Sequence, residues 1–136
     1  MTKKPHKVPE NPIQARELKR AIVAFGGSPE LKILRHLRPG YRHCFVLVHS
    51  QGVWVMYNPL SIGTEMDVWP SDCETQLRHW LSLNGYTLVD THVRPLRPGV
   101  LPWTVFSCVE AVKRILGVRE PWILTPWQLF KYLKKL

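Results

Sequence analysis

The segment Ser107-Cys108-Val109-Glu110 has the S-x-x-E pattern of a helix capping box. With Ser107 as the N-cap, Cys108 becomes the first helical residue. There it sits beside unpaired backbone N–H groups and the positive end of the helix dipole. Both favour a thiolate over a thiol and lower the pKa. The same N–H groups can hold the oxyanion that forms when a thiolate attacks a carbonyl carbon. The competing reading is packing, because free cysteine is among the most buried residue types. Nucleophilic work also requires a base, usually a histidine, and a group that orients it.

Six histidines are available. His6 lies in a basic N-terminal tail, His79 suits a helix surface, and His36 suits a helix C-terminus. His92 falls at the end of an expected strand and stays open as a partner. His43 and His49 flank the run Cys44-Phe45-Val46-Leu47-Val48, the best strand pattern in the chain. Side chains alternate along a strand, so His43, Phe45, Leu47 and His49 share a face. Ser50-Gln51-Gly52 leads to a second strand pattern, Val53 to Tyr57. With Gln51-Gly52 as a two-residue turn, Ser50 pairs with Val53, His49 with Trp54 and Phe45 with Asn58. Asn58 then lies on the His43 face, one diagonal step away, and within reach of the imidazole. A three-residue turn would place Pro59 there instead. Taken singly, His43 reads as a strand-start histidine and Asn58 as a turn residue before proline. Taken with a capped Cys108, they read as nucleophile, base and orienting amide. Trp103, shortly before Cys108, is a candidate for lining a substrate cleft.

These residues need elements to hold them. Residues 1–11 look like a flexible basic tail. Asn11-Pro12-Ile13-Gln14 then predicts a helix start, with Ile13, Leu18, Ala21, Ile22 and Phe25 at rough helical spacing and Gly26-Gly27 as its end. A second short helix is expected from Pro29 to about Leu37. After the hairpin, Glu65 to Trp69 predicts a short strand. Ser71-Asp72-Cys73-Glu74 predicts a capped helix with Leu77, Trp80 and Leu81 facing the core. Tyr86 to Val93 predicts another strand, and residues 94–102, with Pro95, Pro98, Gly99 and Pro102, a loop. The Cys108 helix ends at Gly117, with Lys113 and Arg114 near its carbonyl end. Thr125-Pro126-Trp127-Gln128 opens a last helix with Trp127, Phe130 and Leu133 spaced to face the core. The order implies an α+β fold with a small antiparallel sheet packed against helices. Residues 1–38 are expected to form a basic tail and helical extension, and 39–136 the domain.

Composition narrows the setting. The chain has 136 residues and a formal net charge of +9, which suits one domain and favours anionic partners. Its three cysteines, Cys44, Cys73 and Cys108, form no disulfide framework and suit a reducing compartment. The N-terminus lacks the apolar run of a secretory signal, and no segment is long and apolar enough to span a bilayer. A cytoplasmic protein is expected. No C-x-x-C or H-x-x-x-H pair, Walker A segment or dinucleotide fingerprint is present, and the adjacent His43 and Cys44 would point to opposite faces of a strand, so neither metal nor cofactor is expected.

A strand-start His43, a polar Asn58 on the next strand and a later helix opened by Cys108 resemble the circularly permuted branch of the papain-like NlpC/P60 superfamily, with its lecithin:retinol acyltransferase-like and YiiX-like members. The segments RHCFVLV, VWVMYNP and WTVFSCVEAVKRILG stand in the permuted order, and the resemblance covers about residues 40–120. It implies a papain-like arrangement in which Cys108 is the nucleophile, His43 the base and Asn58 the orienting residue. It also implies hydrolysis or acyl transfer at an amide, peptide, isopeptide or ester bond of a peptide-like or acyl substrate. The Asn-Cys-Glu-His segment of some acyltransferases is absent, and many relatives have histidine where Asn58 stands. The alternative is a non-catalytic basic module. There the Lys/Arg-rich termini, with Arg35, Arg38, Arg42, Arg94 and Arg97, would bind nucleic acid or an acidic protein, and tryptophans would act as stacking platforms.

Overall fold

The computed structural model describes residues 19–26, 38–60, 63–95, 99 and 107–136. Five strands, β1 (Arg20–Gly26), β2 (His43–Ser50), β3 (Val53–Leu60), β4 (Gly63–Pro70) and β5 (Thr87–His92), form one sheet in the order β4-β3-β2-β1-β5. All neighbours are antiparallel. Three helices accompany it: α1 (Glu74–Leu83), α2 (Cys108–Leu116) and α3 (Pro126–Lys134). The α+β class expected from the sequence is the one observed. No helix among the described residues is long and apolar enough to cross a membrane.

The sheet separates two apolar cores. On one face Ala21, Val23, Phe25, Cys44 and Val46 pack with Val109, Val112 and Leu116 of α2 and Leu129 and Leu133 of α3. On the other, Ile22, Ala24, Phe45, Leu47, Trp54 and Met56 pack with Leu77 and Leu81 of α1. Strand β1 contributes to both, so Ala21 through Phe25 are all buried. Burial on both faces removes the polar alternation that marks a half-exposed strand. That is why Arg20–Gly26 carried a helical expectation, and the structure corrects it. The domain boundary moves as well. Because β1 lies between β2 and β5, the sheet begins at least as early as Arg20 and not at residue 39. The expected start at Asn11, the expected Pro29–Leu37 helix and the basic tail lie outside the described residues.

The β2–β3 hairpin has the two-residue turn and the register expected. Ser50 pairs with Val53 and His49 with Trp54. Gln51 and Gly52 take φ of 51° and 76°, the left-handed pair of a type I′ turn, whose twist matches the flanking strands. Helix α1 departs from expectation at its start. Ser71–Cys73 forms a 3₁₀ turn without side-chain capping. The Ser71 hydroxyl is instead bonded to His49 Nε2 at 2.8 Å. Trp80 is 47% exposed, so the α1 core stripe is Leu77 and Leu81 alone. In α3, Thr125 and Gln128 form the full capping box, and Leu129 and Leu133 are buried. Trp127 and Phe130 are only partly buried; they stack on one another at 5.4 Å, beside Tyr41.

Candidate active site

Helix α2 is fixed at both ends and on its buried side. The Ser107 side chain accepts from the Glu110 N–H at 3.2 Å, and Gly117 closes the helix in the left-handed region at φ 77°. The Glu110 carboxylate takes hydrogen bonds from Lys113 Nζ at 3.3 Å and Arg114 Nε at 3.1 Å. Burial by itself would raise the Glu110 carboxyl, but the hydrogen bonds and charges of Arg114 and Lys113 outweigh it and hold the group below its usual range. Lys113 Nζ also donates to the Ile123 carbonyl at 3.2 Å, tying α2 to the segment before α3. The apolar face of α2 lies on β2 and β3. Cys108 is therefore the first residue of a helix locked against the sheet.

At the adjoining end of β2, three side chains form a hydrogen-bonded series. His43 Nε2 meets Asn58 Oδ1 at 2.7 Å, and Asn58 Nδ2 donates to Glu65 Oε2 at 3.1 Å. Asn58 is 8% exposed, and its amide lies between the imidazole and the carboxylate. Asn58 and Glu65 are direct cross-strand partners on β3 and β4. The His43 side chain also hydrogen-bonds Cys108. Since Nε2 is engaged by Asn58, Nδ1 is the nitrogen left for sulfur.

The Cys108 thiol is held down to about 4, well below its ordinary value. The largest cause is a hydrogen bond from the Cys44 side chain. Desolvation opposes it, and His43 and the Cys44 backbone N–H add to the lowering. Cys44 is fully buried, and its own thiol is pushed well up by that burial and by the neighbouring Cys108. It therefore keeps its proton and acts as a donor. Alternation along β2 was expected to send His43 and Cys44 away from each other, yet both reach Cys108. Cys44 lies in the core beneath α2, whereas His43 is the first residue of its strand and only partly buried.

The structure thus brings together Cys108, His43 and Asn58, as the sequence suggested. His49 is occupied at the hairpin end of β2 by Ser71 and by Trp54, at 5.0 Å between rings. His92 pairs with Arg20 on β5, two strands from β2. Trp103 lies outside the described residues. Two residues that touch this series were missed. Cys44 carried a signal, since alternation puts it on the face opposite His43 and so towards a covering helix. Glu65 needed the β3–β4 register, and the link between Leu60 and Gly63 has no two-residue turn signature.

Other expected roles divide differently. Arg38 lies 3.9 Å above the Trp127 ring, and Arg94 Nη1 donates to the Tyr132 hydroxyl at 2.7 Å, so both are engaged with aromatic groups. Among the described residues, no group of three His, Cys, Asp or Glu side chains is gathered to hold a metal ion. Comparisons with protein-family models, with curated proteins and with solved structures found no match to this chain.

Proposed function

We propose that the protein is a cysteine-dependent hydrolase or acyltransferase acting on an amide, peptide, isopeptide or ester bond. In this reading its sheet and Cys108 helix form a permuted papain-like unit similar to the NlpC/P60 superfamily. The observation that carries the proposal is the series Cys108–His43–Asn58, with a thiol acidified to about 4. A buried structural cysteine has no use for that acidity, whereas a nucleophile does.

The chemistry follows from the placement. The Cys108 thiolate attacks the substrate carbonyl carbon and a C–S bond forms. The carbonyl π electrons move to oxygen, and the helix-start N–H of Cys108 is available to bind that oxyanion. Imidazolium His43 then gives its proton to the leaving nitrogen or oxygen, the carbonyl–leaving-group bond breaks, and a thioester remains. His43, now neutral, removes a proton from water or from an acceptor nucleophile, which attacks the thioester and releases Cys108 as thiolate. Asn58 holds the ring in place through both proton transfers.

The test is acyl-enzyme trapping with p-nitrophenyl acetate. A burst of nitrophenolate with an acetyl adduct on Cys108 is expected, absent in Cys108→Ala and slowed in His43→Ala. If Cys108 in the folded protein acylates no faster than Cys73, the proposal fails. The basic-module reading then predicts polyanion binding that survives Cys108→Ala.

A further inference from the structure

Glu65 is an exposed residue on an edge strand, yet its carboxylate is spent on one buried amide. The chemistry of that contact decides more than an ion pair would. A carboxylate only accepts hydrogen bonds, so the Asn58 group facing it must be the NH₂. The amide is planar, so its oxygen then faces the other way, towards His43 Nε2 at 2.7 Å. An amide oxygen accepts and cannot donate, so Nε2 must carry a hydrogen. In the neutral ring the other nitrogen, Nδ1, is then the one with the lone pair. Nδ1 is also the nitrogen left for Cys108.

We infer that Glu65 is a positioning residue of the site, acting through Asn58 to fix the His43 tautomer with Nε2–H towards Asn58 and the basic Nδ1 towards Cys108. The inference rests on the proposed nucleophilic role of Cys108 and adds Glu65 to the series Cys108–His43–Asn58. Without Glu65 the Asn58 amide is free to turn over and present NH₂ to the ring. His43 would then be held with its lone pair at Nε2 and N–H at Nδ1, the form that cannot take a proton from the thiol side. The pairing of Asn58 with Glu65 across β3 and β4 makes the contact a product of sheet register and not of a wandering surface side chain.

The experiment uses the full chain with Glu65→Ala and Glu65→Gln. Glutamine can still accept from Asn58 through its amide oxygen, so it separates the hydrogen bond from the charge. Two readouts are taken: the iodoacetamide alkylation rate of Cys108 by peptide mass spectrometry, and the His43 tautomer by nitrogen-15 NMR. The NMR is recorded in a Cys108→Ser background, where no thiolate favours the imidazolium. Glu65→Ala is expected to slow alkylation about tenfold, the scale of one charge-assisted hydrogen bond. It is also expected to depopulate the Nε2–H tautomer, and Glu65→Gln to restore both. Thermal unfolding checks that the variants remain folded. If Glu65→Ala leaves rate and tautomer unchanged, or glutamine behaves like alanine, the inference is overturned. In that event Cys108 reactivity that still depends on His43 keeps the proposed function intact. If Cys108 is no more reactive than Cys73 in the unsubstituted protein, both fall.

Discussion

His43 and Asn58, from neighbouring strands of one hairpin, meet at 2.7 Å between Nε2 and Oδ1. The contact exists because the Gln51-Gly52 turn sets a register in which Ser50 faces Val53. A turn longer by one residue would send Asn58 to the opposite face. The orientation of the imidazole is therefore decided at the far end of the hairpin.

Cys108 is expected to alkylate at nearly its full rate from neutral pH down to about 5. Its thiol sits at about 4, so the thiolate fraction begins to fall only as pH approaches that value. An unperturbed thiol has a pKa of roughly 8.5 and is under about 1% thiolate at pH 6. Site-resolved iodoacetamide labelling across pH 4 to 9 checks this. A Cys108 profile that rises only above about pH 8 would contradict the assignment.

Cys44→Val should raise the pH at which Cys108 becomes reactive. Valine keeps an apolar group of similar size but removes the S–H, which is the largest cause of the lowered thiol pKa. The stability cost should stay near 1 kcal/mol, as for a near-isosteric core change. Together, a rightward shift of the labelling profile and an almost unchanged urea midpoint identify a hydrogen-bond effect rather than unfolding.

Glu110→Ala should destabilise the fold by about 3–5 kcal/mol, because it leaves the Lys113 ammonium buried without its counter-charge. Lys113 is 3% exposed and Glu110 8%. Arg114→Ala should cost less, about 1 kcal/mol or below, since the Arg114 side chain is 43% exposed. Urea denaturation of the two variants gives the comparison, and equal losses would count against a buried pair.

Gly26→Ala should cost about 1–3 kcal/mol through overpacking. A Cβ there runs into the Tyr86 ring, which packs edge-on against Phe45 at 5.0 Å. Gly26 is also the β1 partner of His43, so the loss should extend to slower Cys108 labelling. Thermal unfolding together with labelling tests both parts.

Much of the site was legible because its determinants are local. The hairpin turn, the alternation along β2 and the Ser107 cap each act within a few residues of the side chain they place. What the sequence concealed is set by contacts between distant segments. Strand β1 is buried on both faces, so its apolar run has no period to read. Ser71 looked like a cap, but its hydroxyl is bonded to His49, a partner from another strand. Cys44 reaches Cys108 only through α2 docking, and Glu65 reaches Asn58 only through the β3–β4 register.

The site has two halves with separate origins. His43, Asn58 and Glu65 all belong to the β2–β3–β4 meander, whose neighbours in sequence are neighbours in space. The sulfur arrives on a helix from much later in the chain, and its hydrogen-bond partners Cys44 and His43 both belong to β2. A molecule in which α2 has lifted away would still hold its imidazole in position but would carry an ordinary, sluggish thiol. Labelling of Cys108 below neutral pH would thus gauge assembly: a chain with α2 unseated is expected to alkylate slowly there, like an ordinary thiol, and a chain with α2 seated to alkylate fast.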